Sequence, residues 1–360
     1  MSATVYPRFL KLANKPSPVS IHVRAFAKIN LGLKIVGKRP DGYHEIRTVY
    51  QTVELHDRLT LSVKRGKEAI DLECSDPAIP SGRGNLVYRA CELWRAARQF
   101  RGAIAIRLTK EIPSGSGLGG ASADAAATLL ALERLTGARL PLTERFRLAA
   151  QLGSDVPFFL LGGRALGIGR GAEVYPLEDL PRRHVLIVFP GFSVSTAVAY
   201  QEAGRLLKEA MHLDVAPPFG GAPGVAPPFR AAPAGLKPAA TKPKRGTTPV
   251  KEELTKPAEI FNMDSFGAWP HHPLQGWGPA ENDFERVVFA RWPELASLKR
   301  QFVRAGAEIA SLTGSGSAVF GVFDSAQKLT RATALVPKRW QTFRTRTLSR
   351  AEYLRAVESR

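Results

Sequence analysis

The sequence predicts a two-domain α+β protein whose domains share one cleft. The chain has 360 residues, more than a typical single domain, which favours two domains. Segments with the alternating polarity of strands and segments with helical spacing occur in both halves of the chain. Hydrophobic residues make up 44% of the chain and charged residues 23%, which suffices for a sizeable core.

The first half begins with a strand over residues 23–36. Apolar side chains occupy every second position, and the positions between them carry a polar set: Arg24, Lys28, Asn30 and Lys34. This period of two predicts a half-buried strand. The turn signal Pro40-Asp41-Gly42 follows, and two further strands are predicted over 46–55 and 59–64.

Helices and another strand are predicted over the next hundred residues. Apolar residues over 86–97 recur at helical spacing. A strand is expected over 103–108, an alanine- and leucine-rich helix over 122–135, and another helix over 143–152. With the preceding strands, these elements form a predicted N-terminal domain, residues 21–183.

The second half combines a predicted C-terminal domain, residues 184–350, with an insertion. An apolar strand opens this domain and leads to a helix that begins near Ser195, a residue type that favours helix N-caps. Over about 212–278 proline, alanine, glycine and lysine are abundant and large apolar residues are few, which predicts a disordered insertion. Order is expected to resume with a helix after residue 281 and a strand–loop–strand over 308–323.

Composition excludes several classes of protein. No apolar stretch reaches the roughly 20 residues of a membrane-spanning helix, and the basic stretch 1–20 lacks the apolar block of a secretory signal. We therefore expect a cytoplasmic protein with a disordered N-terminal extension and no membrane partner. The two cysteines, Cys74 and Cys91, lack metal-ligand spacing, so we expect reduced thiols and no metal site built from protein side chains.

The formal net charge of +19 has two interpretations. Basic residues neutralise nucleic-acid phosphates, but here they are dispersed, apart from a concentration over 338–360, and no nucleic-acid-binding motif accompanies them. A solvated basic surface without a nucleic-acid partner is the favoured interpretation. Such a surface also attracts anionic substrates.

The segment over residues 110–122 carries the most chemical information. Its glycines allow consecutive backbone N–H groups to turn toward one point, because glycine tolerates the positive φ angles that such a nest requires. The helix that follows directs the positive end of its dipole at the same space. The segment therefore predicts a site for phosphate oxygens. In it, Ser122 would cap the helix or donate to a phosphate or a metal-bound water.

Two common phosphate loops do not fit this segment. Gly115, Gly117 and Gly120 have the spacing of a dinucleotide-binding loop. The second parallel strand that the dinucleotide-binding fold needs after the helix is missing, however. The Gly-Lys-Ser/Thr ending of a Walker loop is absent as well. The loop is therefore of a third kind.

Residues 113–122 resemble the signature loop of the GHMP kinases, a family named for galacto-, homoserine, mevalonate and phosphomevalonate kinases. Further stretches are similar to motifs of one branch of this family: 27–31 with 39–45, 152–159, 281–285 and 313–317. The resemblance implies an ATP-dependent small-molecule kinase with the two-domain GHMP kinase fold. That fold has an N-terminal domain like domain 2 of ribosomal protein S5, which binds ATP, and a ferredoxin-like C-terminal domain.

The branch in question acts on 4-diphosphocytidyl-2-C-methyl-D-erythritol, in the non-mevalonate (methylerythritol phosphate) route to isoprenoid precursors. The resemblance implies phosphorylation of the substrate's 2-hydroxyl by ATP, with Mg²⁺ held mainly through phosphates, in a monomer or homodimer. It implies two catalytic residues, Lys28 and Asp155. The nucleotide would be bound by Pro113, Ser114, Gly115, Ser116, Gly117, Leu118, Gly119, Gly120, Ala121, Ser122 and Ala123. The substrate would be bound by Asn30, Tyr43, His44, Thr313, Gly314 and Ser315.

Several of these residues keep two interpretations. Asp155 would accept the proton of the substrate hydroxyl or orient that hydroxyl, with Lys28 holding the carboxylate ionised. Tyr43 would stack on the cytosine, with His44 at the edge of the base, or it would pack under its turn. Residues 313–317 would form a second phosphate nest or an ordinary hairpin loop.

The sequence also departs from the family pattern and leaves rival functions open. Ala121 and Ala123 stand where many relatives have glycine and serine, and Ala121 fits a tight loop only with a negative φ. One rival is another GHMP kinase, acting on mevalonate, homoserine or a sugar. The other is a basic nucleic-acid-binding protein that is not an enzyme.

Overall fold

The computed structural model describes residues 20–213 and 281–358. Nearly all of the expected N-terminal extension and of the expected insertion lies outside the described residues. No helix in these two ranges is long and apolar enough to cross a membrane. Both cysteines are free thiols, Cys91 buried and Cys74 half-buried.

The first sheet is built from the N-terminal part of the chain. Its strands are β1 (Ser20–Lys38), β2 (His44–Arg65), β3 (Ala69–Cys74), β4 (Gly102–Thr109), β5 (Arg164–Gly169) and β6 (Glu173–Pro176). The strand order is β3-β4-β2-β5-β6, and β1 also pairs with β2. Only the β3–β4 pair is parallel. The helices of this part are α1 (Leu86–Arg98), α2 (Gly120–Thr136), α3 (Leu142–Leu152) and α4 (Phe158–Leu161).

The second sheet is built from the C-terminal part of the chain. Its strands are β7 (His184–Phe189), β8 (Ile309–Leu312), β9 (Val319–Phe323) and β10 (Gln341–Arg346). They form an antiparallel sheet in the order β10-β7-β9-β8. The helices of this part are α5 (Thr196–Leu213), α6 (Glu285–Arg291), α7 (Pro293–Arg304), α8 (Ala326–Ala334) and α9 (Arg350–Glu358).

The prediction that the first strand is half-buried is wrong. Most of β1 is buried on both faces, and the polar side chains Lys28 and Asn30 are 3% and 1% exposed. The backbone N–H of Lys28 donates to the carbonyl oxygen of Leu118 (2.9 Å), which belongs to the loop over residues 115–120, called the glycine loop below. The polar side chains of β1 therefore lie beneath this loop, where the sequence pattern predicted solvent.

The two strands predicted over 46–55 and 59–64 are instead one strand, the 22-residue β2. The polar run between the predicted segments favoured a break. Within that run, Asp57 is fully buried. Its Oδ1 atom accepts hydrogen bonds from the backbone N–H groups of Glu111 (2.5 Å) and Ile112 (2.8 Å). Because these tertiary partners satisfy the carboxylate, the strand continues through the polar run.

A hydrophobic cluster lies between the two sheets. The first sheet contributes Ala27, Ile29, Leu31, Val49 and Val53. The second sheet contributes Val185, Ile187, Ile309, Phe320 and Val322. Ile112, which precedes the glycine loop, and Leu118, which belongs to it, are buried in the same cluster. The loop is therefore anchored in the core that joins the domains.

Candidate active site

A cavity of about 820 Å³ opens where the two parts of the chain meet. Many segments that are distant in the sequence line it, among them the glycine loop, β1, the turn before β2, the start of α5 and the loop between β8 and β9. Lys28, Asp155, Tyr43 and His44 all face this cavity. The structure thus brings both predicted catalytic residues and most of the predicted substrate-binding residues to one place.

The glycine loop adopts the backbone conformation that a phosphate nest needs. Gly115, Gly117 and Gly119 have φ angles of 68°, 84° and 74°, which residues with a side chain rarely adopt. A side chain at Gly117 would also collide with the carbonyl oxygen of Thr313. Ala121 is not among the residues with positive φ, as its fit in the loop required.

Helix α2 begins where the glycine loop ends. Its N-cap is Gly119, and no side chain caps the helix. The alternative that Ser122 caps the helix is wrong, because Ser122 lies inside the first turn and lines the cavity. The uncapped N–H groups of the first turn and the helix dipole favour an anion at this end.

Lys28 is a buried cation at the centre of the cavity. Its Nζ atom lies 3.5 Å from Oδ2 of Asp155 and donates to Oδ1 of Asn30 at 2.7 Å. Burial lowers the pKa of the Lys28 ammonium, and the negative charge of Asp155 opposes this shift. The contact with Asp155 therefore favours the charged form of Lys28.

Asp155 lies between α3 and α4 and faces Lys28 with one oxygen. Its other oxygen, Oδ1, accepts a hydrogen bond from the hydroxyl of Tyr50 (3.0 Å). Tyr50 is 1% exposed, and burial raises the pKa of its hydroxyl well above the ordinary value, with Asp155 adding to the shift. The Tyr50 hydroxyl therefore keeps its proton, and its hydrogen bond orients the carboxylate.

Asn30 joins the β8–β9 loop to β1. Its Oδ1 atom accepts from the backbone N–H of Gly314 (2.8 Å) and from the hydroxyl of Thr313 (3.2 Å). Its Nδ2 group donates to the hydroxyl of Thr48 (2.7 Å). Because the Asn30 side chain is hydrogen-bonded to these protein groups, it holds Lys28 and Gly314 in position. Direct contact of Asn30 with substrate stays a prediction.

Tyr43 and His44 form the outer end of the cavity. The Tyr43 side chain is 54% exposed, so it does not pack under its turn. The His44 ring stacks on Tyr200 of α5, with ring centroids 5.0 Å apart. Burial, with help from the positive charge of Lys38, lowers the pKa of His44, so this imidazole is mostly neutral at pH 7.

The loop over 313–317 is the hairpin connection of β8 and β9, and it also borders the cavity. Gly314 and Ser315 line the cavity, and the Ser315 hydroxyl is 3.0 Å from that of Thr196 at the start of α5. Asn282 donates to the carbonyl oxygens of Leu312 (2.8 Å) and Gly314 (2.9 Å). The hairpin interpretation of this segment is therefore confirmed, and the second phosphate nest stays a prediction.

Two of the predicted binding residues do not reach the cavity. Ala123 is 2% exposed and belongs to the core of the N-terminal part, and its backbone N–H donates to Gly119 within the helix (2.9 Å). Thr313 is fully buried, and its hydroxyl contacts Asn30 and the carbonyl oxygen of Gly117 (3.2 Å). Both residues therefore contact the glycine loop from the side that faces away from the cavity.

Sequence reasoning missed several residues of the site, among them Tyr50, Arg170 and Tyr200, which all line the cavity. Tyr50 meets Asp155 across 105 positions of the chain, and no local pattern marks such a pair. It also missed a buried ion cluster below the loop, in which Lys110 Nζ contacts Asp57 and, at 2.7 Å, Asp124. The sequence of α2 alone did not indicate that Asp124 would be buried beside Lys110 and Asp57.

Comparison with known proteins shows which class of protein shares this fold and the glycine loop. The family model "GHMP kinases N terminal domain" matches residues 85–163, a range that contains the glycine loop, α2 and Asp155. The crystal structure of a homoserine kinase from Cytophaga hutchinsonii shares the fold, with a TM-score of 0.61 at 18% identity, covering 94% of this chain and 98% of that one. Fold and site thus define a GHMP-type small-molecule kinase, as the sequence predicted.

More similar proteins narrow the assignment. The 4-diphosphocytidyl-2-C-methyl-D-erythritol kinase of Solibacter usitatus (strain Ellin6076) is 41% identical over 332 residues, 92% of this chain and 90% of the relative. That of Moorella thermoacetica is 38% identical over 327 residues, 90% of this chain and 98% of the relative. A crystal structure of 4-(cytidine 5'-diphospho)-2C-methyl-D-erythritol kinase matches with a TM-score of 0.61 at 31% identity, covering 91% and 99% of the two chains. The chain belongs to the 4-diphosphocytidyl-2-C-methyl-D-erythritol kinase family.

Proposed function

We propose that this chain transfers the γ-phosphoryl group of ATP to the 2-hydroxyl of 4-diphosphocytidyl-2-C-methyl-D-erythritol, giving the 2-phosphate and ADP in the non-mevalonate route to isoprenoid precursors. Membership of the family supports this substrate. The observation that carries the chemistry is the 3.5 Å contact between Lys28 and Asp155. It lies in a cavity that extends from the glycine loop to Tyr43 and His44.

In the proposed reaction, Asp155 accepts the proton of the substrate 2-hydroxyl as the hydroxyl oxygen bonds to the γ-phosphorus. The bond from that phosphorus to the bridging oxygen breaks, and ADP leaves. The hydrogen bond from Tyr50 holds Oδ1, which leaves Oδ2 for the proton. Lys28 supplies a fixed positive charge beside the transferring group, where negative charge accumulates.

The glycine loop and the start of α2 hold the phosphates of the nucleotide in this proposal. Mg²⁺ prefers oxygen ligands and usually keeps several from phosphates and water. Within the described residues, no three histidine, cysteine or acidic side chains converge on a metal position. The Ser122 hydroxyl lines the cavity and fits such an ion as an additional oxygen donor. When bound, the ion neutralises phosphate charge.

The outer end of the cavity suits a nucleobase. The exposed ring of Tyr43 offers a stacking face for cytosine. The neutral His44 imidazole presents a hydrogen-bonding nitrogen at the edge of that base. Cytoplasmic localisation, a monomeric or homodimeric state and the absence of a nucleic-acid partner stay predictions from the sequence.

A substrate panel tests the proposed function. Purified protein is assayed for ADP release with ATP, Mg²⁺ and, in turn, the diphosphocytidyl substrate, mevalonate, homoserine and galactose. We expect turnover of the diphosphocytidyl substrate alone. The Asp155→Asn variant controls for contaminating kinases and should be slower by about 10²- to 10⁴-fold, the usual contribution of a general base.

Other results would favour the rival functions. Selective turnover of mevalonate, homoserine or galactose would assign the chain to another GHMP activity. Salt-sensitive RNA binding without kinase activity, unchanged by Asp155→Asn, would favour a nucleic-acid-binding protein.

A further inference from the structure

The turn between β5 and β6 joins the two ends of the cavity. Gly169 and Gly171 have φ angles of 68° and 90°, and the N–H of Gly171 donates to the carbonyl oxygen of Ile168 (2.9 Å). A methyl group at Gly171 would lie 2.5 Å from the hydroxyl oxygen of Tyr50, the group that holds Asp155. The turn therefore packs directly against the support of the reaction centre.

Arg170, at the middle of this turn, extends toward the other end of the cavity. Its guanidinium carbon lies 4.8 Å from the centroid of the Tyr43 ring, a cation–π distance. The side chain is half-buried and lines the cavity. Arg170 thus lies between the stacking face of Tyr43 and the Tyr50–Asp155 pair.

The guanidinium of Arg170 has donors to spare. Among residues 20–213 and 281–358, no carboxylate lies within ion-pair distance of it. The positive charge of Arg170 does act on Asp41, but that carboxylate already pairs with Arg39 (3.2 Å), which also pairs with Glu45 (2.6 Å). A half-buried arginine with no direct ion pair at the wall of a cavity is suited to an anionic ligand.

The proposed substrate supplies such an anion at this position. Its base is assigned to Tyr43 and His44, and its 2-hydroxyl to Lys28 and Asp155. Two phosphate groups connect the cytidine to the methylerythritol, so they must cross the interval between these two ends. The planar donors of an arginine match phosphate oxygens in a bidentate geometry.

We propose that Arg170 binds the diphosphate of the nucleoside-diphosphate substrate while its guanidinium holds Tyr43 in place for the base. This inference rests on the proposed function, because it assigns one more contact to the same substrate. It makes Arg170 a substrate-binding residue that discriminates a nucleoside diphosphate from an uncharged nucleoside.

The experiment compares Arg170→Met and Arg170→Lys with wild type in steady-state kinetics. We expect Arg170→Met to raise KM for the diphosphocytidyl substrate by about 10- to 100-fold, as loss of hydrogen bonds to a charged group does. KM for ATP should stay within about twofold, since the glycine loop binds ATP. Arg170→Lys should recover part of the loss. Arg304→Met, an exposed arginine of α7 outside the cavity, controls for the loss of one positive charge.

Competitive inhibition by CDP and by cytidine separates the two roles of Arg170. If Arg170 binds phosphate, Arg170→Met weakens inhibition by CDP far more than inhibition by cytidine. Equal weakening of both inhibitors, or an unchanged KM for the diphosphocytidyl substrate, would overturn the assignment. Failure of the proposed function gives a different result, because the wild type then fails to turn over this substrate. Direct calorimetric binding of CDP to the two proteins still decides the role of Arg170 in that case.

Discussion

At the scale of single residues, two carboxylates share one ammonium group beneath the glycine loop. Lys110 is 8% exposed, Asp57 0% and Asp124 3%, and Oδ1 of Asp124 has no hydrogen-bond partner among the described residues. Burial raises the pKa of Asp124 from 3.8 to about 8, although Lys110 opposes the shift. At neutral pH this shift favours the protonated, neutral form of Asp124.

This shift predicts a pH dependence of stability. The native-state pKa of Asp124 exceeds the unfolded value, so between about pH 4 and pH 8 the native state binds more protons than the unfolded state. The free energy of unfolding therefore falls as the pH rises through this window, with a slope of up to about 1.4 kcal/mol per pH unit from this group. We expect Asp124→Asn to remove that slope in urea unfolding at pH 5, 6.5 and 8.

A matched control for this experiment is Asp71→Asn, which changes an exposed carboxylate of β3. Its pH profile should follow that of the wild type. Identical slopes for Asp124→Asn and the wild type would show that Asp124 is ionised in the native state across the same range.

At the scale of elements, the glycine loop packs against the β8–β9 loop. Gly117 combines a φ of 84° with a close approach to the carbonyl oxygen of Thr313. We expect Gly117→Ala to lower kcat/KM for ATP by about 10²-fold, because a shift of about 1 Å in a positioning loop has effects of that order. Steady-state kinetics at varied ATP concentration measures this change.

Substitution of Gly137, at the end of α2, is a control that introduces backbone strain without a collision. Its φ is 68°, and a methyl group there meets nothing within 4 Å. Gly137→Ala should lower stability by about 1 to 2 kcal/mol through strain alone and leave ATP kinetics unchanged. Equal ATP kinetics in the two variants would argue against the close approach as the functional constraint.

At the scale of the whole molecule, the two sheets share a core that also supports the glycine loop. Phe320 is fully buried in this cluster together with Ile112 and Leu118. Phe302 is equally buried but belongs to the core of the C-terminal part. The two phenylalanines therefore form a matched pair that differs in position relative to the site.

We expect Phe320→Ala and Phe302→Ala each to lower the free energy of unfolding by about 3 to 5 kcal/mol, the usual cost of truncating a buried phenylalanine. Only Phe320→Ala should also raise KM for ATP, because it removes support from Leu118. Kinetics well below the unfolding temperature of both variants measures this difference. Equal kinetics would show that the shared core does not position the loop.

Local sequence determined the parts of this protein whose physical cause is local. Glycines that reach positive φ, an alanine-rich helix behind them and alternating apolar residues all lie within a few positions of each other, so they predicted the phosphate loop, α2 and β1. Motif resemblance added Lys28 and Asp155, and with them the family. These features required no knowledge of the packing.

Only the tertiary structure decided which polar groups are buried together. Strand β2 continues through Asp57 because the backbone N–H groups of residues 111 and 112 donate hydrogen bonds to its carboxylate. Tyr50 forms a hydrogen bond with Asp155, and the Arg170 guanidinium lies over the Tyr43 ring. Each pair is separated by more than a hundred positions of the chain. Burial and pairing of charged groups depend on neighbours that are distant in sequence, and a pattern read along one chain holds no information about them.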